Sequence, residues 1–225
     1  MRRLVVLRPE PGASATVERA KAMGLEAFAM PLFAVEPVSW EVPETSHFDA
    51  LLLSSANAMR HGGDGLAKLR AMPVHAVGAA TAAAAREAGF DVASVGDAGV
   101  DPLLGSVPRD LRLLHLCGEN RSAPKAGPAI MAVAVYRSAE LPPPDDLRRI
   151  EGQSVAVHSQ RAGKRLGELV DRGRIDRRTI RIAAISEAAA AAAGNGWDMR
   201  EAAHKPDEAA LLALAARLCD NRETK

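Results

Sequence analysis

Polar residues stand at the ends of short apolar runs along this chain. Arg8 follows LVVL; Ser54, Ser55 and Asn57 follow LLL; Gly78 and Thr81 follow HAV. Gly118, Asn120, Arg121 and Ser122 follow LLHL; His158, Ser159 and Arg161 follow VAV; Ser186 follows AAI. A small or hydroxyl residue that opens a helix leaves backbone N–H groups free at the positive end of the helix dipole. Each such start favours an anion by about 0.3–1 kcal/mol when exposed and up to about 2 kcal/mol when partly buried. The guanidinium groups of Arg8, Arg121 and Arg161 add fixed charges suited to carboxylates. Together they point to recognition of a multiply charged anion by local groups. Structural readings stand beside the functional ones. Ser54, Ser55 and Ser159 also fit as plain N-caps, Thr81 as a hydroxyl bonded to its own helix, and Gly78 as relief of crowding between strand and helix. His158 reads as strand-end packing rather than as an acid or base.

The charge balance requires such local recognition. Lys and Arg number 29 against 28 Asp and Glu, so no overall field marks a nucleic-acid or membrane partner. Aromatic residues are 3% of the chain, too few for a base-stacking platform. The two cysteines, Cys117 and Cys219, lack metal-ligand spacing and read as buried thiols. No secretory leader and no apolar run near the roughly 18 residues of a membrane span are visible, which predicts a reduced cytoplasmic compartment.

The elements that position these residues follow from the apolar runs. LVVL, DALLLSS, VHAVG, LRLLHLC, MAVAVY, SVAVHS and IRIAAIS read as strands buried on both faces of a parallel sheet. Between them, SATVERAKAMG reads as a helix with Ser14 as N-cap and Gly24 as stop, TAAAAREAG ends on Gly89, and EAALLALAARLC has helical apolar spacing. This alternation predicts a doubly wound α/β fold.

The chain also repeats itself. AVGAATAAAAREAGFD, from Ala76, is echoed by AAISEAAAAAAGNGWD, from Ala183. LVVLRPE matches LLHLCGE at an offset of 109, FAMPLFAVEP matches MAVAVYRSAE at 103, and LLLSSANA matches VAVHSQRA at 104. Val77-Gly78-Ala79 and Leu103-Leu104 recur at 108. Ordered matches at nearly one offset predict an internal duplication. The proline-bearing stretches at 35–45 and 137–142 read as linkers. They predict one domain from 1–34 with 143–225 and a second from 46–136.

These segments resemble the uroporphyrinogen-III synthase family over nearly the whole chain. The resemblance is carried by VLRP, FDALLLSSANAMRH, VHAVGAATAAAAREAGF, the CGENR turn, VAVYRS and VHSQRAGKRL. It implies two flavodoxin-like domains joined by a two-stranded linker, with the active site in the cleft between them. It implies the lyase reaction of porphyrin and haem biosynthesis, in which hydroxymethylbilane loses water and closes to uroporphyrinogen III with its last ring inverted. A spiro-pyrrolenine intermediate is the usual proposal for that step. No metal or organic cofactor is implied, and the only partner is the small-molecule substrate of a monomeric protein. Tyr136, the only tyrosine, matches the family residue suggested to protonate the leaving hydroxyl. A phenol with an ordinary pKa near 10 can serve as such an acid. Its counterpart in the other repeat is Phe33, which gives the ring a structural reading as well.

Two features depart from the family. The offset falls from 109 to 103 across GENRSAPKAGPAIM, so the second repeat is six residues shorter there, and its prolines oppose a regular helix. After IRIAAIS, Ala188 and Ala189 stand where the family often has threonine, and Glu187 adds a negative charge. The alternatives are a non-catalytic two-domain ligand-binding protein and a degenerate synthase-like relative.

Overall fold

Leu4, Val5, Val6 and Leu7 are all fully buried, so the strand they build is covered on both faces. The computed structural model describes residues 1–97, 99–120 and 127–220. The chain runs β1 (Leu4–Val6), α1 (Gly12–Ala22), β2 (Ala27–Ala29) and β3 (Phe33–Pro37). It continues through β4 (Ala50–Leu53), α2 (Asn57–His61), β5 (Val74–Val77), α3 (Ala79–Glu87), β6 (Val92–Gly96) and α4 (Val100–Ser106). Then come β7 (Arg112–Gly118), β8 (Ala129–Glu140), β9 (Ser154–Val157), α5 (Gln160–Arg172), β10 (Arg181–Ala184), α6 (Glu187–Ala192), β11 (Met199–Ala202) and α7 (Glu208–Cys219).

The chain divides into two units, one of Met1–Ala34 with Glu140–Lys225 and one of Val35–Ala139. The first unit holds a sheet in the order β11-β10-β9-β1-β2, parallel throughout. Alternate residues of its strands serve opposite faces. Val5, Leu7, Val155, Val157 and Ile182 pack with Leu166 and Val170 of α5 and Ala189 and Ala190 of α6. Leu4, Val6, Ala156 and Ala183 pack on the other side with Val17 of α1 and Leu211 and Ala215 of α7. Burying each Leu, Val or Ile in this way stabilises the fold by about 1.5–3 kcal/mol.

The second unit holds the order β3-β8-β7-β4-β5-β6. From β8 through β6 the neighbours are parallel. Leu51 and Leu53 face Met59, Ala82 and Ala85, whereas Ala50 and Leu52 face Leu103, Leu104 and Val107.

The duplication is visible in the topology. The sequence offsets pair β1 with β7, β2 with β8, β9 with β4, β10 with β5 and β11 with β6. Under that pairing β2-β1-β9-β10-β11 and β8-β7-β4-β5-β6 are the same order. It is the flavodoxin order 2-1-3-4-5, whose ligand position is the edge between strands 1 and 3. That edge is β1/β9 in the first unit and β7/β4 in the second.

Several local expectations change. Ser14 is not the N-cap of α1; the helix starts at Gly12, and the Glu10 carboxylate accepts from the Ser14 N–H at 3.0 Å. The strands β2, β3, β6 and β11 were not among the apolar runs, being short or half exposed. β8 runs unbroken to Glu140, through residues expected to be a linker. The shortened stretch between β7 and β8 falls largely on 121–126, outside the described residues, and Arg121 with it. Among the described residues no helix is long and apolar enough to cross a membrane, and no group of three His, Cys, Asp or Glu could hold a metal ion.

Candidate functional site

In the first unit, Arg8, Ser159, Arg161 and Ser186 all lie just past the carboxyl ends of β1, β9 and β10, which are adjacent and in register. Ser159 caps α5, its Oγ accepting from Ala162 N–H at 3.2 Å. Ser186 caps α6, accepting from Ala189 N–H at 3.3 Å. Both hydroxyls therefore spend one acceptor position on their own helices. Arg161 is exposed, with its guanidinium carbon 4.7 Å above the Phe33 ring, a cation–π contact.

Arg8 is the residue whose surroundings differ most from expectation. It does not stand ready for an external anion. Its Nη1 pairs with Glu208 Oε2 at 2.9 Å and also donates to Thr16 Oγ1 at 3.3 Å. Thr16 in turn donates to Glu208 Oε1 at 2.5 Å. Arg19 Nη1 lies 3.8 Å from the same oxygen, and His158 Nε2 lies 3.4 Å from Oε2. Burial alone would raise the Glu208 carboxyl. The His158 contact, the Thr16 hydroxyl and the Arg8 charge outweigh it and hold the carboxyl down at about 2. Glu208, Thr16 and the partnering of His158 escaped the sequence reading, since they are separated by up to 192 residues. The helical segment opening with Glu208 was the only local signal.

In the second unit, Ser54, Ser55 and Asn57 follow β4, and Gly78 and Thr81 follow β5. Ser54 Oγ lies 2.9 Å from Nε2 of His115, a buried residue of β7, so this pair spans the β7/β4 edge. Neither serine is the helix cap: Ala56 holds that position, and Ser55 Oγ accepts from Asn57 N–H at 3.2 Å. Asn57 Oδ1 takes a bond from Arg60 at 3.3 Å. Gly78 does not relieve crowding, because nothing lies within 4 Å of its absent Cβ; its φ of +82° explains the glycine instead. Thr81 is buried in the first turn of α3, its N–H bonded to Gly78 O at 3.1 Å.

Gly118 and Tyr136 are paired across β7 and β8, next to a register shift. A Cβ on residue 118 would lie 2.7 Å from Tyr136 Cε2 and 2.9 Å from Cζ. The glycine is therefore the seat of the phenol ring. The Tyr136 ring is half-buried, and its hydroxyl makes no hydrogen bond to the described residues. His61, at the end of α2, has its ring 6.4 Å from the Tyr136 ring. Burial, helped by the charge of Arg60, lowers the His61 pKa and favours the neutral imidazole. His61 went unremarked in sequence, although it lies four residues from Asn57 and so shares a helix face with it.

The family model described as uroporphyrinogen-III synthase HemD matches residues 14–213. The chain belongs to the uroporphyrinogen-III synthase family. It is accordingly a lyase of tetrapyrrole biosynthesis. Its fold is similar to the uroporphyrinogen-III synthetase of Helicobacter pylori, at a TM-score of 0.66 and 18% identity over 97% of this chain and 100% of that one. It is also similar to a mutant uroporphyrinogen III synthase of Thermus thermophilus, at a TM-score of 0.51 and 19% identity over 96% and 98%. At these identities the structures speak for the fold alone. Among curated proteins none matches the chain in sequence.

Proposed function

We propose that this chain cyclises hydroxymethylbilane to uroporphyrinogen III with inversion of ring D and loss of one water, without a cofactor. The carboxyl edge of each sheet, taken unit by unit, suits substrate carboxylates. Arg8, Ser159, Arg161 and Ser186 serve the first, and Ser54, Ser55, Asn57, Gly78 and Thr81 serve the second, with Gly118 seating the Tyr136 ring; Arg121 belongs to the same group by sequence. The observation that carries this reading is the family match over residues 14–213, joined to strand ends in each unit that carry hydroxyl, amide and glycine groups.

Tyr136 is the acid of the first step. A pyrrole nitrogen's electron pair expels the terminal hydroxyl while the phenol donates its proton, so the leaving group departs as water. The phenolate regains a proton when the closed macrocycle loses one. The Tyr136 hydroxyl, without a hydrogen bond among the described residues, and the glycine seat beneath its ring support that role. The pyrrole's own push limits how much the acid contributes, and positioning supplies the remainder.

The test feeds the purified protein hydroxymethylbilane generated in situ and separates the isomers after oxidation. Uroporphyrin III as the main product is expected. Formation of the spontaneous type I isomer alone refutes the proposal.

A further inference from the structure

Four side chains from three segments of the first unit converge on one carboxylate. Arg8 comes from the end of β1, Thr16 and Arg19 from α1, and His158 from the end of β9; all reach Glu208, the first residue of α7. The convergence lies at the β1/β9 edge, the ligand position of this strand order. Nor does the duplicated fold require it. At the matching offsets the second unit has Cys117 for Arg8, Ser54 for His158 and Val100 for Glu208, and it builds the same sheet with none of those charges.

His158 shows what the arrangement leaves unfinished. Its side chain is only 9% exposed, yet neither ring nitrogen has a hydrogen-bond partner. A buried polar group in that state is destabilising. Glu208 is tethered to α7 and stops 3.4 Å from Nε2, without hydrogen-bond geometry. A carboxylate without that tether can close the gap while keeping Arg8 and Thr16.

We propose that Arg8, Thr16 and His158 form a carboxylate site, occupied in the free protein by Glu208 and taken over by a carboxylate of the bound ligand. It rests on the reading that this edge receives a polycarboxylate. The exchange replaces one carboxylate by another, so the Arg8 guanidinium is never left without a carboxylate partner. Glu208 has solvent to turn towards, because its side chain is already 24% exposed. At the start of α7 the helix dipole continues to favour its charge. The site's preference for the ionised form, seen in the depressed Glu208 carboxyl, makes it selective for carboxylates over neutral groups.

Glu208→Gln keeps the shape and withdraws the competing charge; Glu208→Asp keeps the charge and withdraws it by one methylene. Succinate titrated into each protein, followed by the His158 ring nitrogens in NMR, probes the site without any tetrapyrrole. At least tenfold tighter succinate binding in Glu208→Gln than in the parent is expected, with a shift of both His158 nitrogens and an intermediate gain in Glu208→Asp. Uroporphyrin III should displace the succinate and bind about tenfold tighter to the Gln variant. Silence of His158 in both variants overturns the site, and if the Gln variant does not fold, an unchanged affinity in the Asp variant does the same. Succinate binding at His158 that uroporphyrin fails to displace upholds the site and refutes the tetrapyrrole reading of this edge.

Discussion

Gly118→Ala is the most direct probe of Tyr136. The new Cβ would lie 2.7 Å from Cε2 and 2.9 Å from Cζ of the ring, against about 3.5–4.0 Å for carbons in ordinary contact. One side must give by roughly 1 Å. The backbone at this point is held: Gly118 is in register with Tyr136, and Glu119 N–H donates to Tyr136 O at 3.0 Å. The ring is therefore what moves. Turning it off its rotamer costs about 0.5–1.5 kcal/mol, a fall in Tm of a few degrees for a chain of this size. The same displacement carries the hydroxyl away from the leaving group, where 1 Å is worth on the order of 10²-fold in rate. The expected result is a kcat reduced about 10- to 100-fold with KM little changed. Steady-state kinetics on enzymatically generated hydroxymethylbilane, with Tm in parallel, separate the two effects. The decisive control adds Gly118→Ala to Tyr136→Phe. With the hydroxyl gone, its misplacement has nothing left to cost, so the second substitution should leave turnover nearly unchanged. An unaltered kcat in Gly118→Ala, or equal losses in both backgrounds, would refute the reasoning.

Tyr136→Phe alone should lower kcat by roughly 10²-fold or less, within the range of general acid catalysis, and full activity would end the acid role. Glu208 contributes to the acid limb of stability. Its folded pKa of about 2 lies below the ordinary 4.5, so the unfolded chain binds the extra proton. The stabilisation is present in full above pH 4.5 and lost as pH falls towards 2, worth about 2 kcal/mol after allowance for its partial exposure. Urea unfolding at stepped pH should show that loss in the parent and not in Glu208→Gln; parallel curves would exclude Glu208. In Gly12→Ala a Cβ would meet Arg8 Nε at 2.6 Å, so the guanidinium should shift; Arg8 contributes least of the groups that depress Glu208, after His158 and Thr16, so the acid limb should shrink only slightly, and its complete loss in urea unfolding at stepped pH would refute that order. Gly78→Ala imposes a φ of +82° on a residue with a side chain. With its ψ of 149° this is a conformation almost only glycine adopts, so the change should cost about 1–3 kcal/mol in chemical unfolding, and an undiminished stability would show that the turn can rearrange.

The fold was legible in the chain wherever a single segment carried the whole signal. LVVL, LLL and SVAV are buried on both faces, so their runs are apolar without alternation, and they were found. The offsets of 103–109 anticipated the two sheets with one strand order, because a duplicated sequence repeats its burial pattern along with its length. The half-exposed strands β2, β6 and β11 carry too few apolar residues to register and exist through pairing with neighbours. Candidate site residues were legible as positions, since a polar residue after a buried strand must emerge at the sheet's carboxyl edge. Their partners were not. Arg8 in sequence is a free cation; in the folded unit it is neutralised by Glu208, 200 residues away. Gly118 looked like an anion-binding turn, but its missing Cβ is occupied by a ring from the next strand. Burial and periodicity are local properties that a sequence records directly. Which charge meets which, and which atom fills the space a glycine leaves, depend on contacts that only the packed sheets create.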